Sequence, residues 1–541
     1  MASWEEAFEF PHAKDVLVFA AIDVGTNDVT FTFEVRGPGG EIRATLHPSL
    51  KFEGLWGLLE VCEATREALA QCLLGLGMAV LSYAWMGFCT PVVELRVQPR
   101  LTEAQLAFWR DVYLRGLREH FFVNGIADFG GEGAGLHLEI RQSDASTAPV
   151  LPAAVSRDAD GEAASGAGDL PAVLVPLGAG KDSLVAWEML GRCRCTRRWF
   201  FLEGEEGEFQ RCWRYAELAE ASGGGSGVLL AAFAWCTGDF ERARNARYEL
   251  SGHLWACVVG FAAALTALAH GLRFVAVGNE RSANLGNGVW WDGEEVNHQY
   301  DKSFPFEAAV HDYMREHCGG LHYFSMLMPL WDVQVGLIFA KLCEPYVPLI
   351  ISCNMPAGRD KSRWCCACHK CTFVAALLSA FLPAPGVRAV FGDSPLDSTA
   401  CLECLEELVG HRAAPLPAPA RAALAPGGGG HCTVGADGWT PLECVGGRRE
   451  TLLAIRLARL RTERSAGQGS RLPRLFRLPL GDACVSMAAQ ADEASPLTAL
   501  LVDWGQQHLL PAWAEPAVRA CLEESLQMLR EEALLEFLSQ T

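Results

Sequence analysis

Positive charge is what this sequence has too little of. Forty-five Lys and Arg stand against 65 Asp and Glu, leaving a net charge of −20. Nucleic-acid binding needs a basic surface that displaces counterions, so RNA or DNA is not expected as the main partner. Long apolar runs are scarce too. One charge-free run, about Leu254 to Ala269, is short for a membrane span and lies between Gly252-His253 and His270-Gly271. It reads as a buried core helix, and no membrane association is expected. The start, Met1-Ala2-Ser3-Trp4-Glu5-Glu6, lacks a secretory apolar core and the Arg-rich, acid-poor character of a transit peptide. The 21 cysteines are odd in number and spread through a long chain, which fits reduced thiols in the cytoplasm. With 541 residues, 50% of them hydrophobic, there is material for two or three domains and a large core.

One stretch organises the rest, LVPLGAGKDSLVAW from Leu174 to Trp187. The apolar run Ala172 to Val175 reads as a buried strand. A glycine turn, Gly178-Ala179-Gly180, leads to Lys181-Asp182-Ser183 and an apolar-periodic helix from Leu184. A strand, a Gly-rich turn and a helix let backbone N–H groups hold a phosphate at the helix N-terminus. The spacing excludes a Walker loop, which has four residues between its first Gly and its Gly-Lys, with Ser or Thr next. GAGKDS instead resembles the PP-loop, SGGxDS, of ATP pyrophosphatases, and that resemblance implies ATP bound by its pyrophosphate end. Gly178 stands where Ser is usual and Ala179 where Gly is usual; Ala179 costs little there if its φ is negative. A βα turn that holds no nucleotide is the plainer alternative.

Taken in order, VLVFAAIDV and VTFTFEV read as a hairpin around Gly25-Thr26-Asn27-Asp28. Leu55 to Leu76 reads as a helix, and Met78 to Trp85 and Val92 to Val97 as strands. Thr102, with Gln105 three residues on, opens a capped helix. Residues 1–141 thus form an α+β N-terminal domain to which no chemistry is assigned. Residues 142–170, rich in Ala, Ser, Gly, Asp and Pro, read as a disordered insertion. From Pro171 strands alternate with helices as far as a strand at Val347–Cys353, which implies a parallel sheet covered on both faces, with ligands at the strands' C-terminal ends. This unit spans 171–410. A Pro/Ala/Gly-rich linker follows at 411–437 and a helical region at 438–541. The fold class is therefore α/β: a parallel-sheet PP-loop domain, adenine nucleotide alpha hydrolase-like, with an α+β N-terminal domain and a helical C-terminal region.

Polar residues gather just past the expected strand ends. Gly278 to Ser282 includes Asn279, Glu280, Arg281 and Ser282; Asn297, His298 and Lys302 follow. Arg281 and Lys302 are suited to a carboxylate or phosphate, and His298 to moving a proton. Cys365, Cys368 and Cys371 recur every third residue with Cys353 upstream, a set that can surround one tetrahedral Zn²⁺. Buried free thiols and an iron–sulfur cluster remain open, since ligand softness does not separate zinc from iron. The set resembles the four-cysteine zinc site of 7-cyano-7-deazaguanine synthase, itself a PP-loop enzyme. Cys366 is left over as a redox or catalytic thiol.

GAGKDSLVAWE, VGNERSA, EEVNHQYDKSFPFE, YFSMLMPL, SCN, SRWCCACHKC and PLECVGG occur in that order. Together they resemble the UDP-N-acetyl-α-D-muramoyl-L-alanyl-L-glutamate epimerase family, from about Ala172 to about Leu460. The resemblance implies ATP- and Mg²⁺-dependent inversion of the terminal L-Glu of UDP-MurNAc-L-Ala-L-Glu, through an acyl-adenylate, in peptidoglycan precursor synthesis. It implies that Gly178, Ala179, Gly180, Lys181, Asp182 and Ser183 hold pyrophosphate, with Asp182 on Mg²⁺. Asn279, Glu280, Arg281, Ser282, Asn297 and Lys302 would line the acyl side. His298, Cys366 and Cys444 are the candidate proton-transfer groups, with Glu443 tuning Cys444. Another PP-loop enzyme, such as a deazaguanine-type amide or nitrile synthetase, and a non-catalytic ATP-binding relative are the alternatives; tRNA thiolation is disfavoured by the acidity. The oligomeric state is not legible.

Overall fold

The computed structural model describes residues 14–53, 63–129, 135–151, 170–358, 360–425, 430–466 and 472–532. Its strands are β1 Val16–Val24, β2 Asp28–Arg36, β3 Ile42–Leu46, β4 Ser49–Phe52, β5 Val92–Val97, β6 Glu139–Thr147 and β7 Ala172–Pro176. They continue with β8 Thr196–Glu203, β9 Leu229–Ala234, β10 Phe274–Val277, β11 Val289–Trp291, β12 Glu294–Glu295, β13 His322–Ser325 and β14 Cys432–Val434. Eleven of them make one sheet in the order β13-β10-β7-β8-β9-β4-β2-β1-β5-β6, with β3 on β2. The run from β13 to β9 is parallel throughout. At β9 the direction changes: β4 lies antiparallel to it, so the strands of the first 150 residues extend the same sheet. The fold is mixed α/β with a largely parallel central sheet. A small second sheet, β12-β11-β14, stands apart.

Side-chain alternation explains why the parallel strands are apolar throughout. Val173 and Val175 enter one buried cluster, while Leu174 enters the other. Strand β8 divides likewise, with Trp199 and Phe201 on one side and Phe200 and Leu202 on the other. Successive residues of a strand face opposite ways, so a sheet with helices on both faces needs apolar residues at every position. By contrast β2 alternates: Val29, Phe31, Phe33 and Val35 are buried and the residues between them are half-exposed.

The hairpin and the Thr102 capping box are as the sequence predicts. Two elements differ. Glu63–Phe88 is one helix, so Met78 to Trp85 is not a strand; the part read as helix over 55–62 lies outside the described residues. An apolar run of that length fits either structure, and continuity with the preceding turns decides for the helix. Its Thr65–Phe88 stretch is long and apolar enough to cross a membrane, but 83% of its most apolar window is buried, as in a core helix. The expected strand at Val347–Cys353 is not a strand: Val347 to Leu349 continue the turn that follows Glu344–Tyr346, and the residues after them pair with no ladder. Pro348 has no N–H, and the Pro348 and Ile350 carbonyls accept from the Arg214 and Trp364 side chains instead. The segment read as linker from 142 begins as strand, since β6 reaches Thr147; 152–169 lie outside the described residues. Within 411–437, Ala418–Leu424 is helical and β14 pairs with β11, with 426–429 outside. At the C-terminal end the helix is Glu515–Glu531, and 533–541 lie outside.

Candidate active site

The glycine turn after β7 delivers its loop to the C-terminal edge of the parallel strands. Gly180 is the N-cap of the helix Lys181–Gly191 and no side chain caps that end. The first-turn N–H groups therefore have no capping side chain as partner. Nothing lies within 4 Å of where a Cβ would stand on Gly178. Ser183 Oγ closes the turn by accepting from the Gly178 N–H at 3.3 Å. At Gly278 an added Cβ would come within 3.0 Å of the Asp182 backbone, so β10 and this helix meet where only glycine fits. Uncapped donors, a clear approach and a helix N-terminus fit a phosphate chain.

Ala179 departs from the condition set by the sequence. Its φ is +54°, the left-handed region, and its carbonyl accepts from the Ile351 N–H at 2.9 Å. A non-glycine residue held there costs about 1–2 kcal/mol. Ala179→Gly is therefore expected to stabilise the chain by up to about 1 kcal/mol after the glycine entropy cost, measured as a raised urea midpoint.

Lys181 is buried and its Nζ lies 2.5 Å from both Asp182 Oδ1 and Asp332 Oδ1. Burial works against its charge, but Asp182, Asp332 and Glu280 outweigh it and raise its pKa. Glu280, beside them, is pushed up to about 8 by burial and by the Asp332 and Asp182 carboxylates. Asp332 opens the helix Asp332–Leu342 and sequence reasoning missed it, because it is a single charge beside the apolar YFSMLMPL. Asp182 and Asp332 present carboxylate oxygens beside the phosphate cradle, a donor set that fits Mg²⁺.

A second cluster lies close enough to the first for Lys302 and Lys370 to act on both. His298 Nδ1 is 2.6 Å from Glu119 Oε2, and the imidazole interacts with the Cys444 thiol. Lys302 Nζ donates to Cys444 Sγ at 3.2 Å, and Lys370 Nζ donates to the Cys444 carbonyl. Burial would raise the half-buried Cys444 thiol, but Lys302, His298 and Lys370 outweigh it and hold it well below its ordinary value. The imidazole is the converse case: burial would lower it, and Glu119 and Cys444 raise it well above the usual histidine range. Both shifts favour the thiolate–imidazolium form of the pair. Lys302 and Lys370 also lower Asp182, so the phosphate cradle and the thiolate share their cations.

Asn287 builds this cluster. Its Oδ1 accepts the His298 N–H at 2.8 Å and its Nδ2 donates to the Pro441 carbonyl at 2.9 Å, tying the His298 loop to the Cys444 loop. The β11–β14 pairing holds the same two segments side by side. Glu119 comes from the helix Arg118–Asn124, where its Oε1 accepts from Ser251 Oγ. Gly252, at φ +70°, wraps so closely that a Cβ would stand 2.7 Å from Glu119 Cβ. The first 140 residues, assigned no chemistry from sequence, thus supply a buried carboxylate to the centre.

The remaining candidates divide into framework and cleft. Arg281 bonds Asp503 at 2.6 Å and stacks on Trp331, so it is engaged by the C-terminal region. Ser282 Oγ donates to Glu450 Oε1 and accepts the Asp332 N–H, fixing that helix to the segment after PLECVGG. Asn297 bonds the Ala283 carbonyl and the Gln299 N–H, and the Asn279 backbone is bonded by Ser325. Glu443 accepts from Asn354, which links the SCN and ECVG pieces; burial raises its pKa. Cys366, at φ +51°, stays in the cysteine loop with its carbonyl bonded by Ser398 and Cys401, and burial pushes its thiol up to about 12.

The Sγ atoms of Cys353, Cys365, Cys368 and Cys371 lie within 4.8 Å of one another. Cys371 Sγ is 3.6 Å from both Cys365 Sγ and Cys353 Sγ. A tetrahedron with 2.3 Å zinc–sulfur bonds has edges of about 3.8 Å, so the thiols fit a structural metal. Lys370 sits between two of them. Stripping the metal with a chelator is therefore expected to cost catalysis by about tenfold or more, by loosening Lys370 as well as the fold. Metal content against turnover, restored by added Zn²⁺, checks it.

The MurL N-terminal domain model matches residues 10–326 and the MurL C-terminal domain model matches 349–416. A protein of Micromonospora sp. named UDP-N-acetyl-alpha-D-muramoyl-L-alanyl-L-glutamate epimerase is 27% identical over 514 residues, 94% of this chain and 97% of the relative. One of the same name from Salinispora tropica is 26% identical over 458 residues, 84% of each chain. Another so named, from Xanthomonas oryzae pv. oryzae, is 32% identical over 297 residues, 54% of this chain and 58% of the relative. No solved structure matches. With more than half of its length matched by the first of these models, and the motif order pointing the same way, the chain belongs to the MurL family.

Proposed function

We propose that this chain is a cytoplasmic enzyme of peptidoglycan precursor synthesis that inverts the terminal L-Glu of UDP-MurNAc-L-Ala-L-Glu to D-Glu. ATP activates the α-carboxylate as an acyl-adenylate, and AMP and pyrophosphate are released. Residues 171–410 act as a PP-loop ATP-binding unit, with 1–141 and 438–541 closing the centre from either side. The reading rests on one observation above others: an uncapped helix N-terminus after the glycine turn and a Cys444–His298–Glu119 cluster share the charges of Lys302 and Lys370. The names of the relatives support the substrate.

The chemistry requires both halves. Cα–H of an N-acylated glutamate is a very weak acid while the neighbouring carboxylate is ionised. Adenylation removes that negative charge and leaves an electron-poor acyl group, so a base can take the proton and another group return it to the opposite face. Lys181 and the turn N–H groups orient the phosphates; Asp182 and Asp332 would hold Mg²⁺, which would neutralise the phosphates' charge. Glu280 titrates near 8, where a proton acceptor suits neutral pH. His298, protonated, is a proton donor. The blocked amino group makes pyridoxal phosphate unnecessary.

One incubation in deuterated water tests the reading. With ATP, Mg²⁺ and UDP-MurNAc-L-Ala-L-Glu, D-Glu carrying deuterium at Cα, together with AMP, is the expected product. AMP without inversion would replace the epimerase with another adenylating enzyme, including the deazaguanine type that the four cysteines resemble. Absence of ATP binding would leave a non-catalytic relative.

A further inference from the structure

We infer that Cys444 is a nucleophile: its thiolate displaces AMP from the activated glutamyl carbonyl, and the substrate is carried as a Cys444 thioester while Cα is inverted. The inference rests on adenylation of that carboxylate and adds a covalent stage to it.

The geometry is that of nucleophilic catalysis. A half-buried sulfur interacts with the His298 imidazole and takes a 3.2 Å hydrogen bond from Lys302 Nζ, and that imidazole is 2.6 Å from a buried carboxylate that orients it. Two of the three residues sit on loops tied together by Asn287, and Glu119 is walled in by Gly252. Lys302 Nζ, 3.2 Å from the sulfur, also faces Glu280, so its charge stands where an oxyanion on the attacked carbonyl would form. The chemistry of thiolates then separates two roles. Stabilising a thiolate lowers its affinity for a proton in full, but its nucleophilicity falls only about 0.4–0.5 as steeply. Cations packed around Cys444 therefore make it a poor base for a carbon acid and leave it a competent nucleophile.

The steps balance. The sulfur lone pair forms the S–C bond while the C–O bond to AMP breaks, and AMP leaves as its own anion without needing a proton. The thioester keeps Cα–H acidic, because sulfur donates weakly into the carbonyl, and it protects the activated acyl group from water. A base removes the Cα proton and an acid delivers one to the other face. Water then attacks the carbonyl, the C–S bond breaks to restore the thiolate, the product leaves as a carboxylate, and two protons pass to solvent.

The test uses the full chain with ATP, Mg²⁺ and UDP-MurNAc-L-Ala-L-Glu, comparing wild type with Cys444→Ala and Cys444→Ser. Three quantities are read: substrate-dependent exchange of labelled pyrophosphate into ATP, AMP release, and the mass of the peptide containing Cys444 after acid quench during turnover. Exchange is expected to stay within about threefold in both variants while AMP release falls about a hundredfold or more. The wild-type peptide should carry the substrate less one water, removable by hydroxylamine. AMP release that persists in the variants while inversion stops would assign Cys444 to proton transfer and overturn the inference. So would a wild-type peptide with no adduct, or loss of exchange in a Cys444→Ser chain that unfolds at the wild-type urea midpoint. No exchange in the wild type would overturn adenylation itself.

Discussion

Lys181→Met is expected to reduce substrate-dependent pyrophosphate exchange by about 10² to 10³, the loss typical of removing one preorganised donor from a developing charge. It should also destabilise the chain by about 3–5 kcal/mol, because the variant leaves the buried Asp182 and Asp332 facing each other without their shared cation. Adding Asp332→Asn should recover part of the stability and none of the exchange. The pH dependence has a definite sign. Glu280 titrates at about 8 in the folded chain against 4.5 ordinarily, and Asp332 is raised as well. A carboxyl raised on folding binds its proton more tightly in the native state, so stability falls as pH climbs from the unfolded value to the folded one. Without Lys181 both groups rise further. The deficit of the variant should therefore be largest above neutrality and shrink as pH approaches 5, read by urea unfolding across that range.

Glu119→Gln should lower kcat/KM by about 10² or more and narrow its pH profile from both sides. In the wild type, Glu119 raises His298 and His298 lowers Cys444, so thiolate and imidazolium coexist over a wide span. The form with Cys444 charged is lost as pH falls through the depressed thiol value. The form with His298 charged is lost as pH rises through the elevated imidazole value. Removing the carboxylate brings His298 down and lets Cys444 come up, so the acid limb moves to higher pH and the alkaline limb to lower pH. Glu119→Asp should return part of the width. A purely structural Glu119 would lower activity and leave both limbs in place.

The readable parts of this site are local. The cradle is one unbroken stretch whose strand, turn and helix follow from composition, and the cysteine repeat announces a metal within nine residues plus Cys353. What was not readable depends on the sheet. Glu119 and His298 are 179 residues apart, and nothing in Arg118-Glu119-His120 marks a catalytic carboxylate. Its place follows from the sheet continuing from β9 through β4 into the N-terminal strands, a junction that hydrophobic patterns do not disclose. Asp332 and Lys370 were passed over for another reason: each is a single charge beside a stronger signal, the apolar YFSMLMPL and the cysteine run. Arg281, read from its place just past a strand end as a group for a carboxylate or phosphate, is held by Asp503 and Trp331, contacts that no local pattern announces. The helix at Glu63–Phe88 was split because an all-apolar run has no period to read.

Strand β6 lies on the outer edge of the sheet and β7 lies seven positions away, and both the end of β6 and the start of β7 are on the same rim. At about 4.8 Å per strand the chain must travel about 34 Å between them. The chain that joins them therefore has a minimum length. Deleting 152–169 would leave six residues, a reach of about 24 Å, and should tear the edge strand away or prevent folding. Replacing the same tract with an equally long Gly/Ser string should leave turnover and unfolding unchanged, and drift in its composition among relatives would be free where drift in its length is not.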